Sequence, residues 1–337
     1  MPEKNRPAGL AAIDREMARQ NADALASYHG AQPMAERVAA SLRRTKRLLM
    51  LGMGGSQAVG RAVEPLYRAL GIDAVAIPLS EQLGQPLPLA ERTVLVTSQS
   101  GESAEVLRWF AETGRTADTF GLTLAANSSL ARAAPSLVGA GGVEVAFAAT
   151  RSLTATFAIH LAILAALGQD PAPALAVLET PKDAPVDAAL AALGNVEAIV
   201  TSGRRLQGVA EALALGFAEL SRLPSFSLEG GQLRHGPMEM LGAHLGVLLL
   251  RADDPTAGLV TAMALSCVEA GSPVIVLDTT GAPPVEGAVT IGLSPAAGMA
   301  AILSMLPVAQ RLMVAFADAR LDNAGTPLRS SKITRSE

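Results

Sequence analysis

The sequence is poor in cysteine, in aromatic residues and in charge. One cysteine occurs in 337 residues, aromatic residues make up 3% of the chain, and 17% of the residues are charged. The single thiol, Cys267, excludes an internal disulfide and a zinc site built from two thiolates, so it is best interpreted as a buried structural thiol. No group of His, Cys and Asp residues has metal-ligand spacing, and we predict neither a metal nor another cofactor.

Long apolar runs are also lacking. No apolar stretch of about 18 residues continues without interruption, which argues against a membrane span. The N-terminal segment contains no apolar core of the kind found in signal peptides. These absences predict a soluble, cytoplasmic protein that has no membrane partner.

The charge balance is slightly negative, with a formal net charge of −4. The chain therefore has no general attraction for nucleic acid, and an anionic ligand would have to be held by local dipoles and hydroxyl groups. Half of the residues are hydrophobic, which supplies enough apolar area for buried strands and the helices that cover them. The length allows two domains of about 150 residues each.

Short apolar runs alternate with helical segments along the chain. Two amphipathic helices are predicted first, from about Ala11 to Tyr28 and from Met34 to Leu42, and strands then alternate with helices. This alternation predicts an α/β fold in which a parallel sheet is sandwiched between layers of helices. The predicted strands of the first half are Arg47–Leu51, Asp73–Pro78, Thr93–Thr97, Thr119–Leu124 and Val143–Phe147.

The second half repeats this pattern about 150 residues later, which predicts two domains related by duplication. We place an N-terminal helix at residues 1–30, the first domain at 31–170, the second domain at 185–321 and a polar C-terminal tail at 322–337. The predicted strands of the second half are Ala198–Gly203, Gly246–Arg251, Pro273–Asp278 and Val289–Leu293, and a helix from Leu206 to Leu220 follows the first of them.

The turn after the third predicted strand is rich in hydroxyl groups. Thr93–Thr97 leads into Ser98-Gln99-Ser100-Gly101-Glu102-Ser103, and a helix is predicted from Ala104 to Phe110. Free backbone N–H groups and the helix dipole favour an anion at such a turn, and the serines add hydroxyl donors. The turn lacks the lysine and the spacing of a nucleotide P-loop. The same serines could instead be helix caps, and the residues alone leave both interpretations open.

The segment Val96–Ser103 resembles the phosphate-binding signature of the SIS (sugar isomerase) domain family. From about Met17 to the last residue, the chain resembles the isomerase half of glucosamine-6-phosphate synthase and stand-alone sugar-phosphate isomerases, deaminases and deglycases. This resemblance implies two flavodoxin-like SIS domains and a sugar-phosphate ligand. The residues that it implies for binding the phosphate and the sugar are Ser56, Ser98, Gln99, Ser100 and Ser103.

Ser56 ends the glycine-rich turn Gly52-Met53-Gly54-Gly55-Ser56, which follows the first predicted strand. Considered alone, such a turn has several meanings. A dinucleotide fingerprint is excluded, because Gly60 misplaces the third glycine and no suitable acidic residue follows.

Glu219 matches the family's catalytic glutamate, which moves a proton between C1 and C2 of the open-chain sugar. It lies in Ala218-Glu219-Leu220, near the end of the long helix of the second half. A carboxylate with apolar neighbours suits the role of general base. Considered without the resemblance, Glu219 is better explained as a solvated helix residue.

His235 lies in Leu233-Arg234-His235-Gly236-Pro237, sixteen residues after Glu219, and this segment resembles the family's Leu-Lys-His-Gly-Pro element. The family's histidine assists opening of the sugar ring, and a histidine can exchange a proton near neutral pH. In the family this histidine reaches the active site of the neighbouring subunit. The resemblance therefore implies a homodimer with His235 supplied across the interface.

The polar tail also resembles a family element. Pro327–Thr334 is similar to the C-terminal loop that closes over the sugar, and Lys332 matches the lysine that can form a Schiff base with the sugar carbonyl. Without the resemblance, a tail lysine would be interpreted as solvated.

The chain also departs from the family. Gly216 and Ala218 stand where the synthase has lysines, and Ala149 stands where the family usually has a ligand-binding serine. The surroundings of C1 and C2 must therefore differ, and the identity of the sugar and of its amine stays open.

The leading hypothesis is a cofactor-free phosphosugar isomerase acting on a 6-phosphorylated amino sugar or sugar–amine adduct, with or without release of the amine. Glutaminase activity is not expected, because the chain begins Met1-Pro2 and Cys267 lies deep in the second half. Simple isomerisation of a neutral sugar phosphate is one alternative. A non-catalytic sugar-phosphate sensor is another, but the joint presence of Glu219, His235 and Lys332 favours catalysis.

Overall fold

The computed structural model describes residues 6–334, which divide into two compact units. The first unit comprises residues 16–145, 149–179 and 329–334, and the second unit comprises residues 6–15, 146–148 and 180–328. Within these described residues, each unit contains one parallel five-stranded sheet. The predicted α/β fold class is confirmed.

The structure agrees with most of the predicted strands, and it adds one that the sequence analysis did not predict, Ser225–Ser227. The helices are α1 (Ala8–Thr45), α2 (Gly54–Ala69), α3 (Leu79–Gly84), α4 (Ala104–Thr113), α5 (Ser129–Ala133), α6 (Arg151–Ala166), α7 (Ala172–Glu179), α8 (Asp187–Leu193), α9 (Gln207–Ser221), α10 (Gly230–Arg234), α11 (Ala257–Glu269) and α12 (Gly298–Arg320). The strands are β1 (Arg47–Gly52), β2 (Asp73–Pro78), β3 (Thr93–Thr97), β4 (Thr119–Thr123), β5 (Ser136–Val138), β6 (Ala198–Ser202), β7 (Ser225–Ser227), β8 (Leu245–Ala252), β9 (Val274–Thr279) and β10 (Val289–Gly292).

Both sheets have the same strand order. The first sheet runs β2-β1-β3-β4-β5, and the second runs β7-β6-β8-β9-β10. Neighbouring strands are parallel throughout both sheets. This is the flavodoxin-like order, in which the chain moves away in opposite directions from the first and third strands, and ligands bind beyond the carboxyl ends of these two strands.

The composition of the central strands explains why both faces of each sheet are covered. All residues of β3, β4, β8 and β9 are buried, as near-continuous apolar runs require. Cys267 lies in the core of the second unit, where burial raises the pKa of its thiol to about 11. This residue is therefore the structural thiol that the sequence predicts.

The predicted strand at Val143–Phe147 was wrong. These residues form no strand, and the fifth strand of the first sheet is β5, which begins seven residues earlier. Val145 is 81% exposed, whereas Glu144 is completely buried, so at these two positions burial runs opposite to hydrophobicity. The apolar run wrongly indicated a strand, because the side chain that it buries completely is the carboxylate of Glu144.

The two helices predicted before the first strand form one helix, α1, which continues through Pro33. A proline inside a helix leaves the carbonyl oxygen four residues earlier without its N–H donor. Pro33 and His29 are both exposed, so water can hydrate that carbonyl group. The continuous helix is thus compatible with the proline.

Among residues 6–334, α12 is the one helix that is long and apolar enough to cross a membrane. Its most apolar window is 78% buried inside the protein, as expected of a core helix.

Tyr67 and His160 form a buried polar contact between α2 and α6. The Tyr67 hydroxyl lies 3.0 Å from His160 Nδ1, and neither side chain is more than 1% exposed. Burial lowers the pKa of His160 to about 3 and raises the pKa of Tyr67. His160 is therefore a neutral residue of the core.

We expect His160 to destabilise the protein as the pH falls from about 6.5 to 3. In this range the histidine binds a proton in the unfolded chain but not in the folded protein. This difference should make the free energy of unfolding about 2 kcal/mol lower at pH 5 than at pH 7. His160→Gln keeps an acceptor for the Tyr67 hydroxyl and should reduce the difference, measured by chemical denaturation. His244→Gln, at an exposed position, should retain it. The same pH dependence in both variants would contradict the prediction.

Candidate functional site

The residues Ser98–Ser103, here called the serine loop, lie at the carboxyl end of β3 in the first unit. Because β3 pairs with β1 in parallel, with Gly52 opposite Thr97, the turn after β1 lies beside the serine loop. Ser56 stands in the first turn of α2, directly after that turn. The two predicted phosphate-binding segments therefore meet where the strand order reverses, which is the usual ligand position of this topology.

The hydroxyl groups of the serine loop are oriented by the loop itself. Ser98 Oγ accepts a hydrogen bond from the Gly101 N–H at 3.1 Å and lies 3.1 Å from Ser103 Oγ. Ser100 Oγ accepts a hydrogen bond from the Glu102 N–H at 3.2 Å. One of the Ser98 and Ser103 hydroxyls donates to the other, so the protons of Ser100 and of the second member of that pair remain able to donate to an anion.

Ser103 bears on whether the serines are only helix caps. It is the N-cap residue of α4, but its side chain makes no capping hydrogen bond. Ser128, at the same position of α5, does cap its helix by accepting from the Ala131 N–H at 3.2 Å. The hydroxyl of Ser103 is thus not used by the helix, which favours the ligand interpretation over the cap interpretation.

Contacts with the segment after β4 fix the shape of the serine loop. The Glu102 carboxylate accepts hydrogen bonds from the Ser129 N–H at 2.7 Å and the Ser129 hydroxyl at 3.0 Å. The Gln99 carbonyl oxygen accepts from the Leu124 N–H at 2.9 Å. Gly101 has a φ of 65°, and a Cβ there would lie 2.2 Å from Ser128 Oγ. A glycine is required at this point of the loop.

A cavity of about 660 Å³ opens beside the serine loop, and this volume is in the usual range of small-molecule pockets. It combines hydroxyl, amide and carboxylate groups with apolar side chains. Residues that line it include Ser100, Glu102, Asn127, Ser128, Val143 and Ile333. The described residues 6–334 hold no group of three or more His, Cys, Asp or Glu side chains that could bind a metal ion.

Residues 329–334 of the tail belong to the first unit and contact the site there. Lys332 Nζ lies 3.3 Å from Glu144 Oε2, and the Thr334 carbonyl oxygen accepts from the Ala104 N–H at 3.0 Å, in the first turn of α4. The backbone N–H of Glu144 in turn donates to Gln99 Oε1 at 3.1 Å. Lys332 and the serine loop are therefore connected through a single residue.

Glu144 is the residue of this site that the sequence analysis missed. Its carboxylate is completely buried and accepts hydrogen bonds from the start of α6 as well as from Lys332. The available signal was the one charged residue inside the apolar run Val143–Phe147, because a carboxylate in such a run needs buried partners.

Glu219 and His235 lie in the second unit. Glu219 is partly buried near the end of α9, and His235 is exposed directly after α10. The first unit thus brings together Lys332 and the five predicted phosphate and sugar ligands, while the catalytic roles of Glu219 and His235 stay predictions.

Two departures from the family pattern have local consequences. A Cβ on Gly55 would lie 3.8 Å from the Ala149 side chain, so Ala149 faces the turn that carries Ser56. A Cβ on Gly216 would lie 2.7 Å from Met313 Sδ, so Met313 fills the space that a longer side chain at residue 216 would need. The first unit therefore has no hydroxyl group at residue 149, and in the second unit Met313 leaves little room for a side chain at residue 216.

Replacing Gly101 should damage the serine loop selectively. We expect Gly101→Ala to weaken binding of inorganic phosphate, the probe, about tenfold or more, because the new methyl group collides with Ser128 and displaces the loop. Gly114→Ala is the matched control, since Gly114 also has a positive φ of 71° but no neighbour within 4 Å of its Cβ position. Titration calorimetry measures both affinities, and equal affinities would contradict the role of the loop.

Comparisons with known proteins agree with this geometry. No protein-family model matches the chain. The chain is 23% identical over 245 residues to glutamine–fructose-6-phosphate aminotransferase (isomerizing) 1 of Arabidopsis thaliana, a match that covers 64% of this chain and 35% of that protein. The chain thus spans about a third of the length of this curated relative.

Solved structures match nearly the whole chain. The C-terminal domain of glucosamine-fructose-6-phosphate aminotransferase from Francisella tularensis has a TM-score of 0.79 at 16% identity, and the match covers 92% of this chain and 96% of that one. A protein of Silicibacter pomeroyi DSS-3 assigned as a phosphosugar isomerase has a TM-score of 0.77 at 25% identity, with coverage of 92% and 98%. The chain has the fold of the SIS-type phosphosugar isomerases.

Proposed function

We propose that the chain is a phosphosugar isomerase that acts on a 6-phosphorylated amino sugar or sugar–amine adduct. It transfers a proton between C1 and C2 of the open-chain sugar and, for some substrates, releases the amine. The proposal is of the glucosamine-6-phosphate deaminase or deglycase type, without a cofactor and without glutaminase activity. A cytoplasmic location is part of the proposal.

One observation carries this proposal: a lysine side chain is connected to the serine loop through a single residue, Glu144. The serine loop offers hydroxyl donors to a phosphate, and Lys332 reaches Glu144, whose backbone binds Gln99 of that loop. A phosphate grip next to a primary amine suits a substrate that carries both a phosphate and a carbonyl group. The phosphosugar enzymes named among the similar proteins support the same substrate class.

Each residue has a defined role in the proposed reaction. Ser56 and the serine loop hold the phosphate and the sugar hydroxyls, so that the reacting carbons have a fixed position. Lys332 engages the sugar carbonyl, and Glu219 is the general base that moves the proton between C1 and C2. His235 exchanges a proton with the ring oxygen during ring opening.

A non-catalytic sugar-phosphate sensor is the second candidate. Two departures from the family pattern favour it: Ala149 stands in place of a serine and Gly216 in place of a lysine. Met313 lies 2.7 Å from the Cβ position of Gly216 and fills the space there. A sensor would keep the residues that bind the phosphate but would lack some of the groups needed for the reaction. Tight binding of sugar phosphates without turnover of any of them would favour this candidate.

Glu219→Gln tests the proposed general base. We expect turnover to fall about 10²- to 10⁴-fold, because the amide cannot accept the proton, while substrate affinity changes little. Glu211→Gln, two helical turns earlier in α9 and also partly buried, is the matched control and should retain turnover. Formation of ketose phosphate in a coupled assay is the measurement. Full turnover by Glu219→Gln on the true substrate would exclude the assignment.

The identity of the substrate is tested by a turnover screen of phosphorylated amino sugars and Amadori-type adducts. Ammonia and ketose phosphate are both measured. Ammonia release from glucosamine 6-phosphate supports a deaminase, and release of a substituted amine from an adduct supports a deglycase. Ketose formation from a neutral sugar phosphate, without any amine release, would replace both with simple isomerisation.

The proposed homodimer, in which His235 serves the site of the neighbouring subunit, is tested by mixing two inactive variants. When Glu219→Gln and His235→Asn proteins exchange subunits, each mixed dimer regains one intact site, so activity should recover to about a quarter of the wild-type value. Each variant mixed with itself is the control. Absence of recovery, with mixed dimers demonstrated by native mass spectrometry, would exclude the shared site.

A further inference from the structure

The Glu144 carboxylate has two sides with different partners. Its Oε1 accepts hydrogen bonds from the Thr150 N–H at 3.0 Å, the Thr150 hydroxyl at 2.8 Å and the Arg151 N–H at 2.9 Å. Its Oε2 accepts from the Ser152 hydroxyl and from the Lys332 ammonium group at 3.3 Å. One oxygen therefore belongs to the start of α6, and the other faces the tail.

Lys332 supplies the positive charge that this buried carboxylate needs. Glu144 is completely buried, whereas the Lys332 side chain is 19% exposed. Arg151 lies close by, but its guanidinium group binds Glu16 and Asp23, and only its backbone N–H reaches Glu144. A buried anion is costly unless a cation and hydrogen bonds compensate it. The contact with Lys332 is thus favourable for both partners.

The position of Glu144 relates this contact to the serine loop. The backbone N–H of Glu144 is bound by Gln99, and the tail has a second anchor where the Thr334 carbonyl oxygen accepts from the Ala104 N–H. The tail lysine is therefore held at a fixed distance from the place where the loop would bind a phosphate.

We propose that Glu144 is a positioning residue, which holds the Lys332 side chain beside the serine loop so that the amine meets the carbonyl end of a phosphate-anchored sugar. The meeting with the sugar rests on the proposed function, whereas the hold on Lys332 does not. Condensation of an ammonium group with a carbonyl gives a protonated imine and one water molecule. Two of the three protons on the lysine nitrogen pass to the carbonyl oxygen, which leaves as that water molecule, and the nitrogen attacks the carbon after the first proton has left. Glu144 holds Lys332 as a cation before this step and takes up neither proton.

Glu144→Gln removes this hold selectively. The amide oxygen can replace Oε1 and keep the donors of Thr150 and Arg151, which turns the NH₂ group toward Ser152 and Lys332. The Ser152 hydroxyl can rotate and accept from the amide, but the ammonium group of Lys332 has only donors. The bond from residue 144 to Gln99 uses the backbone N–H and is unaffected.

The hold is measured through the reactivity of the Lys332 amine, which needs no substrate. Wild-type protein and variants are acetylated with an N-hydroxysuccinimide ester, and mass spectrometry compares Lys332 with exposed Lys46 as internal standard. We expect Lys332 to react about tenfold faster in Glu144→Gln, because it loses a hydrogen bond to a charged group. Glu64→Gln is the matched control, since Glu64 is a buried carboxylate of the same unit that binds Arg61 and Arg68.

Positioning is measured through the kinetic constants on the substrate that the wild-type protein turns over. Glu144→Gln should lower kcat about tenfold or more with little change in KM. The Lys332 amine is then misplaced, whereas the serine loop still binds the phosphate. Lys332→Met and the double variant should have the same residual kcat, since Glu144 acts through Lys332. If the fold-losses in kcat of the two single variants multiply in the double variant, Glu144 and Lys332 act independently and Glu144 is not a positioning residue.

The outcomes separate the inference from the proposed function. Unchanged acetylation of Lys332 in Glu144→Gln overturns the hold, and faster acetylation with wild-type kcat overturns the positioning role. If the wild-type protein turns over no sugar phosphate, the proposed function fails, and acetylation still decides whether Glu144 holds Lys332.

A second variant covers the case in which Glu144→Gln does not fold. Lys332→Met changes only the tail, but it leaves a buried carboxylate without its cation and should lower the thermal unfolding midpoint. Lys46→Met, at an exposed position of the same unit, should leave the midpoint unchanged. Equal midpoints for both variants would overturn the inference.

Discussion

The site depends on one feature of the strand order: after the neighbouring strands β1 and β3, the chain turns away in opposite directions. Parallel strands end at one edge of the sheet, and at this pair the following helices leave in opposite directions, which opens a crevice beyond the strand ends. Ser56 and the serine loop occupy the two sides of that crevice. The strand order makes these two segments neighbours, although more than forty residues separate them in the sequence.

The second sheet has the same strand order, but different side chains lie at the carboxyl ends of its strands. At the end of β8, Arg251 is 3% exposed, and it binds Asp278 at 2.8 and 2.9 Å, the Thr261 hydroxyl and the Pro283 carbonyl oxygen. The guanidinium group thus occupies the edge with its own partners, and no hydroxyl-rich loop follows this strand. Two sheets with one topology therefore differ in chemistry, and the loop that we propose to bind phosphate lies in the first.

Buried charge organises the segment that joins β5 to α6 in the first unit. Burial raises the pKa of the Glu16 carboxyl, but hydrogen bonds from the Val145 N–H and Arg151, with the positive charge of Arg151, outweigh it and leave the pKa below its usual value. Glu144, next in the chain to Val145, contacts Lys332. Breaking such a buried pair leaves an uncompensated charge, so the ion pairs of this segment favour one arrangement of Glu16, Arg151, Glu144 and Lys332.

The sequence by itself determined the alternation of strands and helices, the duplication of the pattern and the serine loop, because apolar periodicity and turn chemistry are local properties. It did not reveal the role of Glu144, and it misassigned Val143–Phe147, because the partners of a buried carboxylate come from distant segments. Only the tertiary structure decided that the tail lysine meets this carboxylate, 188 positions away, and that Ser103 leaves its helix uncapped. Hydrogen bonds and ion pairs of this kind depend on which segments the fold makes neighbours, and neither composition nor spacing encodes that.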